Sequence, residues 1–141
     1  MTSEESTEEP DLGRKIQDRF QSDYKNILRA HMDDLEGMFQ FHEDGVTELQ
    51  GEYRELAVKT QILIYLIAQR YKAETPITEE DSVPYSEIYP RFPDKDDSTV
   101  RGYFMNLRKE GFAKKDGDGH RFVVERLPDA VERIESEPGE D

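Results

Sequence analysis

The sequence predicts a mainly helical chain of the α+β class, with several helices and a small β-hairpin near its C-terminal end. Three observations predict it. Apolar residues recur at a helical period through most of the chain. Strict alternation is confined to two short stretches, each containing Asp-Gly. Gly and Pro punctuate the periodic segments, as at Gly37, Pro84, Pro93 and Gly111. The 141 residues suffice for one domain of ordinary size with an appendage.

The elements follow in order. Residues 1–10 are a low-complexity Ser/Thr/Glu stretch ending in Pro10, an expected disordered acidic tail. From Asp11 to Gly37 a helical stripe appears, with Leu12, Ile16, Phe20, Tyr24, Ile27, Met32 and Leu35 near one face and Leu28 and His31 beside them. Asp11 reads as its N-cap and Gly37 as its stop, giving a helix about 37 Å long. Such a helix outreaches a small domain. Ile16, Phe20, Tyr24, Ile27, Leu28, His31 and Leu35 are therefore candidate dimerisation residues, the alternative being a helix laid across the domain that follows. Met38–Gln50 alternates and carries Asp44-Gly45, a type I′ turn signal, so it reads as a short hairpin or else a plain loop. Residues 11–51 thus form one candidate unit and 52–136 a second, with 137–141 a tail.

Glu52–Lys72 is the strongest helix, apolar over most of its circumference through Leu56, Ile62, Leu63, Leu66, Ile67 and Tyr71, as a core helix is. Ala73–Pro84 is an acidic loop. Tyr85–Phe92 is a short helix stopped by Pro90 and Pro93. Ser98 is read as the cap of a helix of about 13 residues ending at Gly111. Phe112–Leu127 gives two strands around an Asp116–Gly119 turn, and Pro128–Glu135 a terminal helix.

Composition excludes several functions. There are 33 acids against 19 Lys+Arg, a net charge of −14. Without Cys there is no disulfide scaffold, thiolate zinc site or thiol catalysis. The longest apolar run, Ile62–Ala68, is far short of the roughly 20 residues that span a bilayer. The polar, acidic N-terminus is unlike a signal peptide, so a cytoplasmic location and no membrane partner are expected. His31, His42 and His120 lie in three elements without metal-ligand spacing. Neither Asp-rich turn supplies a calcium loop, because the twelfth positions from Asp94 and Asp116 are Met105 and Leu127. No Gly-rich phosphate loop or nucleophile elbow occurs, so no enzyme activity and no cofactor are expected. Acids are dense in ordered-looking segments as well as in the tails, which favours a protein adapted to a high-salt cytoplasm over an ordinary acidic one.

The charge is uneven. Residues 1–55 carry 15 acids and 6 bases, whereas residues 99–126 carry 7 bases and 4 acids. The basic window coincides with the helix after Ser98 and the hairpin behind it. From Glu52 the order is long helix, short helix, turn, helix, two-stranded hairpin. With Thr99-Val100-Arg101, Leu107-Arg108-Lys109-Glu110-Gly111 and Phe112, this stretch resembles the winged helix-turn-helix DNA-binding domains of archaeal and bacterial transcription regulators. The resemblance covers about residues 52–127, and Glu55–Tyr71 is similar to the first helix of archaeal members. The turn departs from the family pattern, being rich in Pro and Asp where the family packs an apolar residue. The fold so implied is a winged helix preceded by a long N-terminal helix.

On a helical wheel Val100, Phe104 and Leu107 form the core stripe. The opposite side presents Ser98, Thr99, Arg101, Gly102, Met105, Asn106, Arg108 and Lys109. These include the chemistries that reach base edges and phosphates in a major groove. Lys114, Lys115, His120 and Arg121 on the hairpin, the wing of the resemblance, would lie on the phosphate backbone. The resulting expectation is a dimeric regulator of double-stranded DNA. The alternative is a winged-helix module that docks a protein partner.

Overall fold

The computed structural model describes residues 12–17, 19 and 23–137. The expected N-terminal tail, the Asp11 cap, Phe20 and positions 138–141 lie outside the described residues. Residues 12–17 and 19 are helical, and the labelled elements begin after them with α1 (Tyr24–Ala30) and α2 (Met32–Leu35). There follow β1 (Phe39–Phe41), β2 (Thr47–Leu49), a 3-10 turn (Gly51–Glu55) and α3 (Val58–Lys72). The C-terminal half holds β3 (Ser82–Pro84), α4 (Tyr85–Ile88), α5 (Asp97–Lys109), β4 (Ala113–Asp116), β5 (Gly119–Phe122) and α6 (Leu127–Ser136). The class is α+β, as the periodicity predicts.

The long N-terminal helix is not formed. Asp23 has non-helical dihedrals (φ −102°, ψ 86°), and its carboxylate accepts the Asn26 backbone N–H at 3.2 Å, so a new helix starts inside the expected one. The chain bends again at His31. The bends carry Leu28 and Leu35 into the core, which a straight rod projecting from the domain would leave in water.

Helix α3 is the hub, with Ile62, Leu63, Ile64, Leu66, Ile67 and Ala68 wholly buried. It packs against α5, α6 and strands of both sheets. One sheet is the antiparallel β1–β2 hairpin, turned at Gly45 (φ 91°). The other is three-stranded, in the order β3-β5-β4, antiparallel throughout. Its third strand, Ser82–Pro84, falls in a stretch read from sequence as loop. Three residues ending in Pro carry no alternation signal, and the strand exists only through its pairing with β5. Gly119 permits that pairing, since a Cβ there would sit 2.4 Å from the Val83 carbonyl oxygen.

Helix α3 starts at Val58, later than expected, after the 3-10 turn. No side chain of its own first turn caps it. Glu137 does so from the far end of the chain: its carboxylate accepts the Ala57 N–H at 3.1 Å and the Thr60 hydroxyl. An anion at a helix N-terminus also complements the helix dipole. Glu137 therefore belongs to the fold rather than to a tail. The Pro- and Asp-rich turn before α5 is anchored by Phe92, which is buried in the common core.

Candidate nucleic-acid interface

Helix α5 is capped by Asp96, two residues before the expected Ser98. The Asp96 carboxylate accepts the Thr99 N–H at 2.9 Å and the Ser98 hydroxyl at 3.2 Å. These bonds hold its pKa below the usual carboxylate range, those from Thr99 first. Val100, Phe104 and Leu107 are buried, as the wheel requires. Ser98, Arg101, Met105, Asn106 and Lys109 are exposed, and Thr99, Gly102 and Arg108 are half-buried along the edge. A Cβ at Gly102 would meet nothing within 4 Å, so the glycine is not demanded by internal packing and leaves an open place on this face.

Between α5, the start of α4 and the β4–β5 hairpin lies a cleft of about 570 Å³. Arg101, Arg108 and Lys115 line it, with Tyr85, Phe104, Met105 and His120 as its less polar walls and Asp118 at the hairpin tip. The Arg101 guanidinium lies 4.1 Å from the Tyr85 ring centroid, and its Nε donates to Asp97 at 2.9 Å. The Tyr85 hydroxyl donates to the Asp97 carboxylate at 2.9 Å; burial and this bond push its pKa up to about 12. Asp97 is thus occupied on both sides, and its pKa is lowered, first by Arg101 and then by Tyr85. Glu110 is turned away from the cleft toward Lys59 (3.2 Å) and Arg133 (2.7 Å). Asp96, Asp97 and Glu110 are thus held in structural bonds. Among the described residues, no ion pair engages Arg108, Lys109, Lys114, Lys115 or Arg121.

The hairpin corrects the expected basic cluster. Strand alternation divides it, with Lys115 opposite His120 and Lys114 opposite Arg121. The first pair lines the cleft beside α5. The second lines another, of about 460 Å³, with Tyr24, Arg70 and Asp81. Lys114 and Arg121 put like charges directly across the ladder, an unfavourable arrangement that an anion would relieve. Near them Glu80, Asp81 and Asp116 bring carboxylate oxygens within 4.8 Å of one another, an acidic counterweight on the outer side of the hairpin.

His120 is not an exposed phosphate contact. It is 7% exposed, and its ring centroid lies 4.7 Å from that of Phe104. Both ring nitrogens are buried without a hydrogen-bond partner, as is the Nε of Arg108. Desolvation, then the charges of Arg108 and Lys115, push the imidazole pKa down to about 4. Nothing local announced this burial, which comes with the packing of Phe104 of α5 against the ring.

The expected dimerisation residues do not form one stripe. Leu28 and Leu35 are buried in the chain's own core and Ile27 packs against it. His31 is half-buried and 3.0 Å from Asp34. Tyr24 donates to Glu125 at 3.4 Å, while Ile16 is exposed. Among the described residues no helix is long and apolar enough to cross a membrane. No protein-family model, curated protein or solved structure matches the chain.

Proposed function

We propose that residues 52–136 form a winged-helix DNA-binding domain of a transcription regulator, with α5 in the major groove and the β4–β5 hairpin as its wing. The observation that carries this reading is the cleft. In a chain of net charge −14, Arg101, Arg108 and Lys115 converge where α5 meets the hairpin; Asp96, Asp97 and Glu110 are tied up in capping and ion pairs, and Asp118 stands at the hairpin tip. The helix order and the β3-β5-β4 sheet support the same reading. Asn106, Arg101 and Lys109 are exposed on the face a groove would meet, and Gly102 leaves it open. A DNA backbone strand would run along the cleft past Arg108 and Lys115. The protein acts by binding, without catalysis.

The acid excess is proposed to be a high-salt adaptation of the remaining surface. At molar salt counterion release contributes little, so shape fit and base contacts must supply the affinity. The test is binding to genomic DNA fragments at high and low salt, with Lys109→Ala plus Lys115→Ala as the comparison. Both side chains are exposed and, among the described residues, outside any ion pair, so the fold should survive. The pair should weaken binding at least about tenfold. Equal binding by the two proteins overturns the reading. The acidic group Glu80, Asp81 and Asp116 favours one alternative, a winged-helix module that docks a protein partner, for which neither protein would retain DNA.

A further inference from the structure

We infer that the helical arm at residues 12–17 and 19 of one copy docks into an apolar groove beside α2 on a second copy, so that the chain forms an arm-exchanged dimer. The groove has a volume of about 540 Å³, and its lining includes Met32, Leu35, Phe39, Phe41 and Tyr71. Met32 is 56% exposed there, and Asp33 and Glu36 stand in the lining as its acidic members. None of the described arm residues lines this groove.

The arm has the complementary chemistry. Leu12 and Ile16, four residues apart on one helical face, are 60% and 50% exposed and lack a core of their own. The arm also carries Arg14, Lys15 and Arg19, three of the six bases in residues 1–55. The stretch 32–36 contains Asp33, Asp34 and Glu36 and no base. A cationic amphipathic helix and an acid-lined apolar groove on one chain are self-complementary. Exchange about a two-fold axis satisfies both copies and closes the assembly at two. High salt screens the charge pairing but strengthens apolar burial, so the dimer survives there.

The inference is independent of DNA binding, and its test uses the full chain without DNA. Sedimentation velocity at concentrations up to about 100 µM, well above a micromolar Kd, should show a dimer. Ile16→Glu spoils the arm and Met32→Glu the groove. Because both side chains are exposed, each variant should keep the wild-type circular dichroism and thermal melt. Each should weaken association at least about tenfold, and a mixture of the two should recover a heterodimer through its one intact arm and groove. A wild-type monomer throughout overturns the inference and means that the arm covers its own groove or nothing. A Met32→Glu variant as dimeric as wild type also overturns it, in favour of direct arm-to-arm pairing.

Discussion

The molecule contains two hairpins of the same local design and opposite chemistry. Strands β1–β2 and β4–β5 are both antiparallel, both turn through a glycine of positive φ (Gly45 at 91°, Gly117 at 61°), and both are in contact with α3. Each also buries a basic side chain. Under the first, Lys72 is 6% exposed; its ammonium donates to the Gly45 carbonyl and lies 5.8 Å from the Phe41 ring centroid. Desolvation lowers its pKa, while Glu87 and Asp44 act in the opposite sense. In the second, His120 has no partner, and its charged neighbours Arg108 and Lys115 add to desolvation. The comparison teaches that burial alone does not decide how a basic group behaves. An acceptor and nearby carboxylates offset part of the cost of burying Lys72, whereas desolvation, reinforced by cationic neighbours, keeps His120 neutral.

The largest expected effect breaks the second hairpin and spares the first. Gly119→Ala places a methyl group 2.4 Å from the Val83 carbonyl oxygen, which belongs to backbone and cannot swing aside. It should cost about 3 kcal/mol or more, at the upper end of overpacking. Gly45→Ala meets only Ile77 at 3.6 Å, and its cost of about 1 kcal/mol comes from the positive φ. Urea unfolding of the two variants measures the difference; equal losses would mean that β3 is not pinned by Gly119.

Acid should distinguish the buried bases next. The unfolded His120 ring titrates near 6.5 and the folded one at about 4. Between those values the unfolded chain takes up a proton that the native chain refuses. Stability linked to His120 is therefore full above about pH 6.5, falls as pH drops toward 4, and levels off below. The loss should approach about 3 kcal/mol. His120→Phe should flatten that part of the stability profile measured by urea unfolding between pH 4 and 7. If wild type and variant run parallel, the imidazole is not held neutral by its site.

The smallest effect concerns the cleft itself. Asp97→Asn removes the charge that holds Arg101 and leaves Tyr85 a neutral acceptor. If α5 meets phosphate, DNA affinity measured by fluorescence anisotropy should rise about threefold at low salt and much less at molar salt. A fall in affinity would instead assign Asp97 a positioning role for Arg101.

Much of the architecture was legible in the residue pattern. The 3.6-residue stripe of Val100, Phe104 and Leu107 set the buried side of α5, and the surroundings of Gly45 and Gly117 marked two turns. The candidate site was legible as a set of residue types but not as an arrangement. Lys114, Lys115, His120 and Arg121 are close in sequence, yet alternation sends two to each face, and Phe104 of α5 then packs on His120. The stripe from Leu12 to Leu35 read as one helix, but the chain bends at Asp23 and His31, burying Leu28 and Leu35 and leaving Leu12, Ile16 and Met32 exposed.

The sequence by itself determined most of the helices and turns of the C-terminal half, which face of α5 is apolar, and that one basic window stands in an acidic chain. Those properties depend on residues within a few positions of one another. Only the tertiary structure decided that Glu137 caps α3, that Val83 pairs with His120, that Phe92 enters the core, and that Glu110 is bound by Lys59 and Arg133. Each of these is a contact between elements far apart in the chain. Its energy exists only once α3 has gathered them, so no local pattern could contain it.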